Sequence, residues 1–199
     1  MSKPAKTQVP VHELIRERWS PIAFSDRRLE REQIVSLLEA ARWAPSSFNG
    51  QPWSYLIATK DEPEEFERLA SCLVEGNSWA KQAPLLLLAI AATNFTHNGK
   101  PNNHAFHDVG LANENLVLQA TSLGLFVHQM AGFLPDKARE LFAIPEDQVP
   151  LTMIAVGYHG QAGDLSEALQ KREQAARSRK PLKELVFTGR WGQISLLVK

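Results

Sequence analysis

The sequence is poor in several things that define common protein classes. It has 199 residues and one cysteine, Cys72. A lone cysteine allows no internal disulfide, so a reducing, cytoplasmic setting is expected. Net charge is also missing: 22 Lys and Arg balance 22 Asp and Glu. A general nucleic-acid binder usually carries a basic surplus, so that class is excluded, although a local phosphate site is not. Long apolar runs are absent. Ala83–Ala92 spans only ten residues, against the ~20 needed to cross a bilayer. The uncharged stretch Asn115–Pro135 holds too many amides, hydroxyls and glycines for lipid. Lys3 and Lys6 are followed by no apolar segment, so no signal peptide is expected. G-x-G-x-x-G, Walker A, G-x-S-x-G and H-E-x-x-H motifs are missing as well.

What is present reads as one folded domain over 1–199, with residues 1–10 a flexible N-terminus. The hydrophobic content, 44%, is enough for a real core. A helix is predicted over Val11–Trp19, with Pro10 at its start. A second runs over Arg31–Trp43, where Ile34, Leu37, Leu38 and Ala41 form one stripe and Pro45 ends it. Strands are predicted at Trp53–Thr59, Leu85–Ala92, Leu125–His128 and Pro150–Gly157. Further helices are predicted at Pro63–Val74, 104–123, Pro135–Phe142 and Leu165–Arg177. Gly124 is placed to end the long one. The elements do not alternate strictly, which favours α+β over a doubly wound parallel sheet. Cys72 reads as a buried packing residue.

Three segments carry chemistry. In Arg18-Trp19-Ser20-Pro21 a guanidinium and a hydroxyl stand two apart where a helix breaks. Arginine's fork suits a phosphate or carbonyl oxygen, although a helix C-terminus also accommodates such a charge. Ala44-Pro45-Ser46-Ser47-Phe48-Asn49-Gly50-Gln51-Pro52-Trp53 is a stiff loop dense in donors and acceptors. Residues 171–183 contain Lys171, Arg172, Arg177, Arg179, Lys180 and Lys183 against Glu173 alone. That run is either a solvated helix face or the closing side of a phosphate site begun by Arg18. His104-x-x-His107-Asp108 places two imidazoles on one helical face, but no third ligand is near in sequence, so no metal site is assigned.

These residues resemble the nitroreductase family of FMN-dependent oxidoreductases. The likeness rests on Arg18-x-Ser20-x-x-x-Phe24 and on the run Ala40 to Trp53. Asp108, Gln119-Ala120-x-x-Leu123-Gly124-Leu125, Gly132-Phe133, Ile154 to Tyr158, Arg179-Lys180-Pro181-Leu182 and Arg190-Trp191-Gly192 follow in order. The resemblance spans about residues 11–192. It implies a three-layer α+β fold with a central, mostly antiparallel mixed sheet flanked by helices, in an intertwined homodimer. It implies two FMN sites at the subunit interface, with residues 178–199 packing on the partner. Arg18, Trp19 and Ser20 would hold the flavin from one side. Pro45, Ser46, Ser47 and Asn49 would reach it from the other subunit. Gln129, Met130, Ala131 and Gly132 would pass the ring edge, and Arg179, with Arg177 or Arg190 as substitutes, would complete the phosphate site.

The implied activity is ping-pong hydride transfer from NADH or NADPH through FMN to a nitroaromatic, a quinone or a similar small acceptor. No side-chain nucleophile, metal, nucleic acid or membrane is implied. Alternatives are another flavin reaction on the scaffold (flavin fragmentation, dehalogenation or azoline oxidation) and a flavin-free binding module. The Thr93–Asn103 loop, with Phe95, His97 and Asn98, is the expected acceptor-selecting segment, helped by Trp79 and Phe106. One departure stands out: the family usually has a cation where this chain has Ile22. Its absence implies a lower flavin potential, or another donor such as Gln129.

Overall fold

A computed structural model describes residues 3–198. Its framework is a four-stranded antiparallel sheet in the order β1-β2-β4-β3. The strands are β1 (Trp53–Thr59), β2 (Leu85–Ala92), β3 (Phe126–Met130) and β4 (Gln148–Gly157). The helices are α1 (Glu13–Glu17), α2 (Arg31–Arg42), α3 (Pro63–Ala70), α4 (Ala105–Ser122), α5 (Pro135–Leu141) and α6 (Glu167–Gln174).

The continuous apolar run of β2 exists because both faces of the sheet are covered. Leu85, Leu87, Ala89 and Ala91 point to one side and pack with Leu37 and Ala41 of α2 and with Val109, Ala112, Leu116 and Ala120 of α4. Leu86, Leu88 and Ile90 point to the other, against Phe66 and Leu69 of α3, Trp79, Ala138 of α5 and the Ile22–Phe24 segment. The period-two alternation of a strand thus feeds two cores and produces three layers. The β2–β4 register shifts between Ala89 and Ile90, and Pro150 pairs beside the shift. Proline has no N–H for the ladder, so the irregularity falls where a regular bond could not form.

β1 and β2 have the bounds expected from sequence, and Gly124 follows α4 at φ 70. The helices near the cleft are shorter than expected. Within the expected Val11–Trp19 helix, only Glu13–Glu17 is helical, with His12 as its cap, so Pro10 lies outside. Arg18 leaves the helix at ψ 124. Likewise α6 stops at Gln174, because Ala175 is extended at ψ 139. Past Ala70 the expected third helix gives way to a turn and a 3₁₀ segment, Glu75–Gln82. Cys72 is fully buried in that turn. β3 and β4 start one residue later and two residues earlier than expected, at Phe126 and Gln148. Among the described residues no helix is long and apolar enough to cross a membrane.

Candidate functional site

The site is built where α1 and α6 both unwind beside the edge strand β3. At the end of α1, Arg18 turns its guanidinium toward Ser20, with Nη1 donating to Oγ at 3.2 Å. Trp19 goes the other way, into the interior, edge-on to Phe126 with centroids 5.9 Å apart. Pro21 presents its carbonyl to His128 of β3, with Nδ1 and oxygen 2.7 Å apart. A carbonyl only accepts, so Nδ1 carries the proton. Burial pushes the His128 pKa below its ordinary value, outweighing that bond.

After α6 the extended chain carries Arg177 and Arg179 alongside Arg18. These three, with Lys3, Trp19, Ser20, Ile22, His128, Arg172 and Glu173, line a cleft of about 300 Å³. Among the described residues that line it, Glu173 is the only carboxylate. Its oxygens are engaged: Oε2 accepts the Ile22 N–H at 2.6 Å, and Oε1 lies 2.9 Å from His159 Nε2. The guanidiniums have neutral acceptors. Arg177 Nη1 donates to the carbonyls of Lys3 (2.5 Å) and Arg16 (3.0 Å). Arg179 donates to the Ser178 carbonyl at 2.8 Å. Burial first, then the charges of Arg18 and Arg179, pull the Arg177 pKa below its ordinary value, with Glu17 opposing. Such a group of mutually repelling forks is stabilised by an anion. A phosphate dianion fits the donor set, since each guanidinium offers paired N–H groups to its oxygens.

The serine–asparagine loop forms a second element, braced on α4. Asp108, buried at the start of α4, accepts the Ser47 N–H at 2.9 Å through Oδ2. Its Oδ1 lies 3.0 Å from His107 Nδ1. Gln51 N–H donates to Ser46 Oγ at 3.0 Å. The tightness of the loop forces Phe48, Asn49 and Gln51 to φ of 51°, 52° and 45°, a region that costs side chains other than Asn and Gly energy. Phe48 is 85% exposed. Among the described residues, the Ser47 hydroxyl and the Asn49 carboxamide make no hydrogen bond, so both are available to a ligand. None of residues 45–51 lines the Arg18 cleft of the same chain.

The third element is the end of β3. Tyr55 donates to Asn113 Oδ1 at 2.9 Å, and Asn113 Nδ2 to Gln129 Oε1 at 3.0 Å. This chain of bonds turns the Gln129 amide NH₂ away from Asn113. Burial holds the Tyr55 phenol far above its usual pKa, so it remains a donor. Met130 is buried in the core and Ala131 is exposed. Gly132 accepts from Asn77 Nδ2 at 2.8 Å, and a Cβ there would meet that nitrogen at 2.7 Å. His128 joins this element to the arginine cleft.

Arg190 lies in the turn over residues 188–193, where its N–H reaches the Thr188 carbonyl, and it does not line the cleft. The Thr93–Asn103 loop is closed by the Asn94–Pro101 bridge, and Phe95 packs edge-on against Phe48 at 5.9 Å. Trp79 differs from expectation. It is buried, stacked on Phe24 and against His128, so it is a core residue and not an acceptor contact. Sequence reasoning passed over Lys3, His128, Arg172 and Glu173 as cleft residues. One signal was available: Glu173 is the sole acid in a run of six bases.

Fold and cleft together define a small α+β scaffold whose arginine-lined cleft offers a donor set suited to a phosphorylated ligand, without a glycine-rich loop. The chain belongs to the Nitroreductase family, which matches residues 15–158. A solved structure of an oxidoreductase containing FMN superposes with a TM-score of 0.90 at 35% identity, covering 94% of this chain and 96% of that one. A nitroreductase family protein of Clostridium difficile 630 gives a TM-score of 0.69 at 27% identity, covering 89% and 96%. The FMN reductase (NAD(P)H) of Bacillus subtilis is 27% identical over 68% of this chain and 60% of its own length.

Proposed function

We propose that this chain, an FMN-dependent NAD(P)H oxidoreductase, works in two half-reactions at one site, reducing a nitroaromatic, a quinone or a similar small acceptor. The observation that carries the reading is the convergence of Arg18, Arg177 and Arg179 on one cleft, where their hydrogen-bond acceptors among the described residues are neutral. FMN, when bound, supplies the hydride chemistry, and the protein supplies binding, orientation and electrostatics. Arg18, Arg177 and Arg179 hold the phosphate. The Gln129 carboxamide, oriented through Asn113 and Tyr55, offers an N–H donor beside the cleft. Gly132 keeps the chain after β3 close to Asn77 and Val74, where a side chain would not fit.

The working unit in this reading is a homodimer with two sites. The Ser46–Asn49 loop stands apart from the arginine cleft of its own chain, so a second copy would have to bring it there. Large apolar side chains left in water support the same view: Trp43, Phe48, Trp191, Leu196 and Leu197 are all strongly exposed. Residues 178–198 then pack on the partner.

The test is direct. The purified protein should be yellow, or should take up added FMN, and should bind riboflavin more weakly because riboflavin lacks the phosphate. With FMN it should oxidise NADH or NADPH, with turnover dependent on a nitroaromatic or quinone, and should sediment as a dimer. A protein that takes up no FMN overturns the reading.

A further inference from the structure

The cleft contains a cation that lies outside the family match. Lys3 precedes residue 15, where that match begins, yet it lines the cleft beside Arg18, Arg177 and Arg179. Its placement is fixed from three sides. Arg177 Nη1 holds the Lys3 carbonyl at 2.5 Å. Two residues on, the Ala5 N–H donates to the Arg16 carbonyl at 2.8 Å, and that carbonyl also accepts from Arg177. The Lys3 ammonium itself sits 4.9 Å over the Trp19 ring and donates to the carbonyls of Glu173 and Ala175, the latter at 3.2 Å.

We propose that Lys3 is a further phosphate-binding residue, brought across the cleft by the segment Lys3–Ala5 and clamped there by Arg177. The assignment rests on the reading of the cleft as the FMN phosphate site and deepens it. An ammonium has three N–H donors. Among the described residues two go to neutral carbonyls where α6 ends, leaving one donor and the full charge in the cleft that Lys3 shares with the guanidiniums. It shares the cleft with Arg18, Arg172, Arg177 and Arg179, and Glu173, the one acid among the described lining residues, is already bonded to the Ile22 N–H and faces His159. A fourth positive group in that company raises the repulsion of the empty cleft, and an anion relieves it. Arg177 links the two halves of the site. The same guanidinium that faces the anion also holds the Lys3 backbone, so binding and segment order are coupled.

The alternative role for Lys3 is structural, as a cap on the α6 carbonyls. FMN and riboflavin separate the two roles, because only FMN carries the phosphate. Apoprotein would be titrated with each, following flavin fluorescence, for the native chain, Lys3→Gln and Lys3→Arg. Glutamine keeps an N–H donor for the carbonyls but loses the charge, and arginine keeps the charge. The expected result is a loss of FMN affinity on the order of tenfold in Lys3→Gln, with riboflavin unchanged and Lys3→Arg close to the native chain. The dependence of log Kd on log salt should flatten in Lys3→Gln. Equal FMN binding by Lys3→Gln and the native chain overturns the proposal. So does a parallel loss of FMN and riboflavin, which marks a structural cap. If the native chain binds riboflavin as tightly as FMN, or binds neither, the phosphate reading of the cleft falls, and the Lys3 assignment with it.

Discussion

The buried carboxylate of Glu173 accepts the backbone N–H of Ile22 at 2.6 Å, across 151 residues of sequence. This bond joins the segment that carries Arg18 and Ser20 to the helix that leads into Arg177 and Arg179. Two pieces of chain distant in sequence are thereby held as the opposite walls of one cleft. Removing Glu173 would leave a buried donor unpaired, which costs about 1–3 kcal/mol. Glu173→Ala should therefore lower stability by about that amount, read from the urea midpoint, and should weaken FMN binding. Glu173→Gln keeps an acceptor for the Ile22 N–H and should lose less. An alanine variant as stable as the native chain would remove Glu173 from this role.

Arg177 and Arg179 should behave differently despite sharing the cleft. Among the described residues Arg179 donates only to its neighbour's carbonyl, so Arg179→Ala should weaken FMN binding on the order of tenfold while leaving the melting temperature alone. Arg177 also bridges the carbonyls of Lys3 and Arg16. Arg177→Ala should cost binding together with about 1 kcal/mol of stability. Lysine at 177 cannot form the fork and should recover only part of either. Identical behaviour of the two alanine variants would contradict the bridging role.

The sheet and the two-sided core were legible in the sequence because the apolar runs that build them are local. β1 and β2 are bounded by turn-forming residues, and their alternation between faces needs no outside information. The ends of α1 and α6 were less legible. Arg18 and Ala175 leave the helix where contacts from remote chain, such as Glu173 on Ile22 and Lys3 on α6, compete with helix continuation. The basic run of 171–183 showed its charge, but periodicity could not show that Arg177 and Arg179 lie past the helix end, on the cleft. Ser46, Ser47 and Asn49 were visible as an unusually dense polar loop. Asp108 was visible only as a matched position in the resemblance, and its role as the loop's brace was not legible, since 61 residues separate it from Ser47.

His128 gives the fold a pH dependence with a definite sign. Its pKa in the folded chain lies below the ordinary 6.5 because it is desolvated. As pH falls through 6.5 the unfolded chain takes up a proton that the folded chain resists. The His128 contribution is therefore complete above 6.5 and is lost as pH falls from there through the folded pKa. His128→Gln retains an N–H donor for the Pro21 carbonyl without titrating. Between pH 7.5 and 5.5 its melting temperature should fall less than that of the native chain. Parallel pH profiles would show that His128 is not the group responsible.

Ala143 is the residue just past the α5 cap Phe142, and it is left-handed at φ 49. Glycine is usual at that position because it has no Cβ to clash. Ala143 is exposed, so little packing is at stake. Ala143→Gly should raise stability by about 0.5–1 kcal/mol, the relief of strain less the added entropy of the unfolded chain. Destabilisation in a urea titration would mean the turn tolerates alanine without strain.

Ile22 sits at the position where a cation was expected by resemblance. It is 4% exposed, packed into the core cluster, and it also lines the cleft. A charge introduced there faces two opposed effects. Ile22→Arg removes apolar packing and must desolvate its stem, so the apoprotein should lose about 2 kcal/mol or more. Its head can reach the cleft, where with FMN bound it would favour negative charge on the reduced flavin and raise the midpoint potential. The neutral Ile22→Gln separates the two, because it shares the packing loss without the charge. A higher potential in the arginine variant alone would show that the native chain operates its flavin without this cation. Equal potentials in all three proteins would show that the Ile22 side chain does not act on the flavin.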